Sequence, residues 1–241
     1  MRAETRHHLK EDRFSRATIH AAEATAHWSA EHKNKLIVVF GVVLLAVAAA
    51  LGSWYHISEQ DQKASVHFGQ AVRTLDTPVR PAGMPVQADN PTFASSTERA
   101  TEAHKEFQAI VDRYPHTRAS QFARYFLGLT SESLGDHAGA ERELKYVSSA
   151  YNRDLAALAK FALASVDRNT NRNKDAIDLY KSLIDKPTTT VGKVTSQMEL
   201  AATYEASGQP LEAKRIYQQI QKENPTSPAA QAASAKLQAL K

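Results

Sequence analysis

The chain has 241 residues, 42% of them hydrophobic and 23% charged, with 30 Lys and Arg against 26 Asp and Glu for a formal charge of +4. The absence of cysteine excludes disulfides, thiol catalysis and thiolate metal sites. The positive excess is split evenly, +2 in residues 1–35 (seven basic, five acidic) and +2 after residue 55 (23 basic, 21 acidic), so no basic face is concentrated enough for a nucleic-acid partner.

Residues 1–35 read as a polar, helical, cytoplasmic tail. Phe14, Ile19 and Trp28 are scattered apolar points, too few for a core of their own. His7-His8 lacks the further ligands a metal needs and reads as a solvated pair. Leu36 to Trp54 then runs for 19 residues without a charge. As a helix it spans roughly 28 Å, close to the hydrocarbon thickness of a bilayer, so a membrane span is predicted over 36–55. It is longer than a secretory h-region and begins late, which argues against a cleaved signal peptide; Ala48-Ala49-Ala50 still offers a cleavage site and keeps that alternative open. Arg16, Lys33 and Lys35 before the span outweigh Lys63 and Arg73 after it, which predicts a cytoplasmic N-terminus and an external C-terminal part. Trp54 and Tyr55 fit an interfacial anchor. Gly41, Leu45, Ala48 and Gly52 form a seam that is either a docking face for another membrane helix or ordinary composition of such a helix.

The remainder, 56–241, is predicted to be one working domain. Ala64, Phe68, Ala71, Val72 and Leu75 recur at three-to-four spacing and mark a helix with one apolar face from Glu59 to Leu75. Pro78, Pro81, Pro85 and Pro91 with Gly83 predict a loop over 77–93, either a tolerated insertion or a partner contact. Ser95 followed by Glu98 predicts a helix start.

From there the chain repeats. Ala103, Phe107, Ile110 and Tyr114 are matched by Ala140, Leu144, Val147 and Tyr151, then by Ala176, Tyr180, Leu183 and Pro187, then by Ala213, Tyr217, Ile220 and Asn224. The alanines stand 37, 36 and 37 residues apart. An apolar helix precedes each of the last three, with Leu127-Gly128, Leu163-Ala164 and Leu200-Ala201, and each runs into a turn: Gly135-Asp136, 171–173, and Gly208-Gln209-Pro210. A small residue lets the second helix of a pair cross the first closely, and the large one four residues on fills the gap to the next pair. One pair cannot bury its apolar stripe, whereas stacked pairs bury a continuous core.

This pattern resembles tetratricopeptide repeats. The resemblance implies an all-α fold: a right-handed α-solenoid of about four helix pairs behind the single N-terminal transmembrane helix, capped by a C-terminal helix over 227–240. The third repeat departs from the pattern, with Asp167 where an aromatic is common and no glycine in its turn. An N-terminal span, a short tail and an external repeat domain together resemble the ancillary subunit of the bacterial Sec translocon. That resemblance implies an inner-membrane protein with a periplasmic repeat domain acting as a chaperone accessory. Its implied partners are Sec translocon components, periplasmic chaperones or exported polypeptides. The Tyr-Pro-His-Thr and Asn-Pro-Thr-Ser helix ends also resemble the periplasmic cell-division coordinator and the outer-membrane assembly lipoprotein, which lack this span.

No His-Glu-x-x-His, Gly-rich phosphate loop or Gly-x-Ser-x-Gly occurs, and His104, His116 and His137 read as solvated or capping residues. No enzyme, cofactor or metal is expected. Repeats of the resembled kind present the first helix of each pair along a concave groove. Register places Phe122, Tyr125 and Leu129 there from the second repeat, Leu158, Phe161 and Arg168 from the third, and Met198 and Glu205 from the fourth. These side chains either meet a partner or pack between neighbouring helices. Two functions follow: a scaffold for partners or client polypeptides, or a structural or coordinating adaptor in envelope assembly or division whose anchor and tail make the main contacts.

Overall fold

The computed structural model describes residues 32–81, 83–84, 91–223 and 225–240. The tail features His7-His8, Phe14, Ile19 and Trp28, and the repeat position Asn224, lie outside the described residues. The described residues form nine helices: α1 (Lys33–Asp76), α2 (Ser96–Arg113), α3 (Arg118–Ser133), α4 (His137–Val147), α5 (Arg153–Asn169), α6 (Asn173–Asp185), α7 (Lys193–Ala206), α8 (Pro210–Glu223) and α9 (Pro228–Ala239). The only β feature among them is an isolated parallel bridge between Val79 and Phe93. The fold is therefore all-α and solenoid-like, and from α2 onward each helix packs on its chain neighbour.

The chain divides into two compact units, Met1–His56 and Ile57–Lys241. In the first, the apolar part of α1 has a mean hydropathy of 2.7 over its best window and buries none of it, so it is long and apolar enough to cross a membrane. The second unit begins with the rest of α1, where Ala64 and Ala71 are fully buried.

The repeat ladder forms the core of the second unit. Ala103, Ala140, Ala176 and Ala213 are all 0% exposed, and so are Phe107, Leu144, Tyr180 and Tyr217 four residues on. Ile110, Val147, Leu183 and Ile220 complete a third buried row. Side chains of α1 (Ala64, Phe68, Ala71) join those of α2 and α3 in the first core cluster. Residues of α4 and α5 form a second, and residues of α5 to α9 a third.

Local chemistry sets the helix ends. Ser95 Oγ accepts from Glu98 N, Thr117 Oγ1 from Ser120 N, Asp136 Oδ1 from Gly139 N and Ser227 Oγ from Ala230 N, each supplying an N-cap. Glu98 Oε2 accepts in turn from Ala94 N, closing the expected capping box one residue outside Ser95. The turns between paired helices use a left-handed residue: Gly135 at φ 82°, Gly208 at φ 73° and, in the third repeat, Asn171 at φ 62°. Asparagine thus fills the place where the sequence has no glycine, since its short polar side chain tolerates this conformation better than most.

The proline-rich segment is tied at its base. Arg80 N donates to Phe93 O and Phe93 N to Pro78 O, the Arg80 guanidinium donates to Thr92 O, and the Arg99 guanidinium reaches Thr77 O. The two ends of the loop are thereby held side by side.

Candidate functional site

The row of first helices, α3, α5 and α7, carries the eight predicted groove residues. Phe122 on α3 is 37% exposed and leans on Phe68 of α1 at 6.2 Å between ring centroids. Phe68 in turn meets Phe107 at 5.9 Å and Phe126 at 5.7 Å, and Phe107 stacks on Phe126 at 5.2 Å. Phe122 is therefore the outermost ring of an aromatic cluster built from α1, α2 and α3. Tyr125 turns its edge to Phe126 at 5.4 Å and is half-buried; burial pushes its hydroxyl pKa up. Leu129 is half-buried one turn further on.

Leu158, Phe161 and Met198 are also half-buried, packed against the core of α5 to α9. Phe161 meets Tyr180 edge-on at 5.6 Å. The two charged members face other helices. Arg168 of α5 pairs with Glu199 of α7 at 2.6 Å. Glu205 of α7 accepts a hydrogen bond from the Tyr217 hydroxyl at 2.6 Å and lies 3.6 Å from Lys236 of α9.

These two pairs belong to a polar ladder along the first helices that the sequence pattern does not reveal. Asp61 Oδ1 on α1 accepts from Ala119 N at the start of α3, at 3.0 Å. Asn169 on α5 donates to Glu132 on α3 at 2.9 Å, and Glu132 also meets His137 at 2.7 Å. Burial pushes the Glu132 carboxyl up, but the hydrogen bonds from Asn169 and His137 outweigh it and hold its pKa below the usual range. Behind this row, Asp167 is buried where the repeat pattern has an aromatic. It pairs with Arg172 at 2.7 Å, and Arg172 also reaches Glu141 of α4 at 2.6 Å. Burial raises the Asp167 pKa and Arg172 opposes the shift. The pairs that join neighbouring repeats link residues about 30 or more positions apart in sequence, so only stacked repeats bring them together; a periodicity of apolar residues carries no trace of them.

His104 Nδ1 sits 3.1 Å from Thr130 Oγ1, and among the described residues no group of three or more His, Asp or Glu is placed to hold a metal. What the row offers is a set of half-exposed aromatic and aliphatic side chains, with Arg168 and Glu205 engaged by neighbouring helices.

A chain of stacked helix pairs with this ladder defines a repeat protein of the tetratricopeptide type, a scaffold fold commonly used for contacts between proteins. The chain belongs to the Tetratricopeptide repeat-like domain family, which it matches over residues 26–241. No curated protein matches the chain. Among solved structures it is similar to a putative kinesin light chain from Podosopora anserina with nearly identical TPR-like repeats. The TM-score is 0.55 at 16% identity, covering 75% of this chain and 86% of that one. A point variant of the same protein gives 0.56 at 16% identity, covering 75% and 85%. At this identity the likeness is one of fold.

Proposed function

We propose that this chain is a single-pass membrane protein whose repeat unit binds polypeptide partners along the row of first helices. The observation that carries this reading is the combination of a helix long and apolar enough to span a bilayer with a repeat row that keeps Phe122 exposed and Tyr125, Leu158, Phe161 and Met198 half-exposed. The lysines beside the span support a cytoplasmic N-terminus and an external, periplasmic repeat unit in an inner membrane. In that setting the partners are translocon subunits, chaperones or emerging exported polypeptides, with no enzymatic step and no cofactor.

A second reading, a structural or coordinating adaptor, has its own support. Arg168 and Glu205 are engaged by Glu199, Tyr217 and Lys236, and Phe161 packs on Tyr180, which leaves less of the row for a partner. Photo-crosslinking in intact cells from position 122 separates the two. Adducts to translocon subunits, chaperones or exported chains that vanish in Tyr125→Ser support the binding role. No adduct from 122, with adducts obtained from the span, supports the adaptor.

A further inference from the structure

A second surface, which uses other residues of α5, is a cleft of about 460 Å³ between the ends of α4 and α6 and the first half of α5. Its floor is apolar, made by buried Ala156, Ala157 and Leu183. Three cations line it: Arg153 and Lys160 from α5 and Lys186 from the end of α6. Arg153 and Lys160 are seven residues apart, two helical turns, and so share one face of α5 at about 10 Å separation. None of the three has an ion-pair partner among the described residues, whereas Arg168 and Arg172 further along the same repeat are both paired.

The cationic excess survives a full count of the charges around it. Against three cations the lining holds one carboxylate, Asp185. The C-terminal ends of α4 and α6 also meet the cleft, through Ser148 and Lys186, and each contributes about half a negative charge. Asp154, in the first turn of α5, is turned to the next loop: its Oδ1 accepts from Thr189 Oγ1 at 2.9 Å, and its carbonyl accepts from Thr190 Oγ1. Two lining hydroxyls, Ser148 and Ser182, donate to carbonyls of their own helix ends and add no charge. The N-terminus of α5, at Arg153, adds about half a positive charge, so roughly one and a half net positive charges are left over an apolar floor.

The neighbouring turn is unusual as well. Tyr151 stands where the previous repeat has Tyr114, yet Tyr114 is 8% exposed and stacks on His67, while Tyr151 is 102% exposed beside the lining residue Ala150. An aromatic ring left fully in water one residue from the cleft lining is a ready contact for a bound chain.

We propose that this cleft binds an acidic polypeptide segment of a partner, with its carboxylates on Arg153, Lys160 and Lys186, one apolar side chain on the Ala156–Leu183 floor and Tyr151 against its backbone. The first-helix row and this cleft share no residue, so the two readings stand or fall separately.

The test uses the full chain in non-ionic detergent and a short fluorescein-labelled peptide of glutamates around one phenylalanine, read by anisotropy. The Arg153→Gln/Lys160→Gln/Lys186→Gln variant is expected to weaken binding about tenfold or more, with a flatter salt dependence. The pair Arg153→Gln/Lys186→Gln, both at exposed positions, gives a smaller loss in the same direction and guards against misfolding at half-buried Lys160. Lys174→Gln/Lys214→Gln/Lys222→Gln removes the same charge elsewhere and should leave affinity within about twofold. Equal losses in both triple variants would mean attraction by net charge alone and overturn the proposal. So would displacement of the peptide by inorganic phosphate at matched charge, which would make the cleft a small-anion site.

Discussion

A Cβ placed on Gly128 would lie 2.7 Å from Leu144 Cγ and 2.9 Å from its Cδ2, and Leu144 is 0% exposed with nowhere to swing. Gly128→Ala gains about 1 kcal/mol of helix propensity but overpacks a closed crossing of α3 on α4 at a cost of about 1–3 kcal/mol. Overpacking wins, so the melting temperature should fall by a few degrees, at about 2–4 °C per kcal/mol. Gly69→Ala, with nothing within 4 Å of its Cβ, should raise it. Two buried tyrosines make a second contrast. The Tyr217 hydroxyl donates to Glu205 at 2.6 Å, whereas the Tyr180 hydroxyl has no partner among the described residues. Tyr217→Phe should cost about 1–2 kcal/mol in denaturant melts, and Tyr180→Phe should be neutral or stabilising. Burial raises both tyrosine pKa values, that of Tyr180 up to about 12, and at Tyr217 the bond to Glu205 adds to the rise. Their folded values lie above the unfolded value of about 10, so the contribution is intact below about pH 10 and is lost as pH rises through the folded values. Melts taken across this alkaline range should show that decline, shallower in Tyr217→Phe.

Helix α5 shows at the element scale what a sequence can and cannot disclose. Its start is capped by Asn152, whose side chain accepts from Asp154 N at 3.1 Å and Leu155 N at 3.2 Å. Asn152→Ala should cost about 1 kcal/mol, seen as a lower melting temperature and faster amide exchange in the first turn of α5. Its apolar ladder was legible because burial repeats with the helical period: Leu163 and Ala164 are buried as their spacing predicts. The eight residues predicted for a groove fall on α3, α5 and α7. Register placed Arg168 and Glu205 on the first helices. Their pairing with Glu199, Tyr217 and Lys236 depends on how one repeat is rotated on the next, and a count of residues does not contain that angle. The same is true of Asp167. In sequence it departs from the aromatic pattern; in the fold it is the buried partner of an arginine that also reaches α4. Prolines predict a loop over 77–93, of which 82 and 85–90 lie outside the described residues; the ties that Arg80 and Arg99 make at its two ends run through backbone carbonyls, which no side-chain pattern announces.

The stability of a solenoid is a sum of interfaces between neighbours, so an end repeat is only as good as the face that covers it. Here the covering face at the start of the array is the later part of α1. Ala64 and Ala71 are fully buried against the cluster of Phe107, Ile110 and Leu127, and Phe68 touches three further aromatic rings. Two truncations follow from this. A chain of 57–241 keeps every core contact of the second unit and sheds the apolar segment, so it should be monomeric without detergent and melt in one cooperative step. A chain of 95–241 loses Ala64, Phe68 and Ala71 and leaves Phe107 and Phe126 uncovered. Losing one buried phenylalanine's worth of packing costs about 3–5 kcal/mol, a large share of a domain's typical margin of about 5–15 kcal/mol. The shorter chain should therefore aggregate or melt lower by roughly 10 °C, with amide exchange accelerated first in α2 and α3 and last in α7 and α8. If 95–241 melted like 57–241, the later part of α1 would be an appendage of the span. The array would then begin at α2, with Phe122 as its open edge.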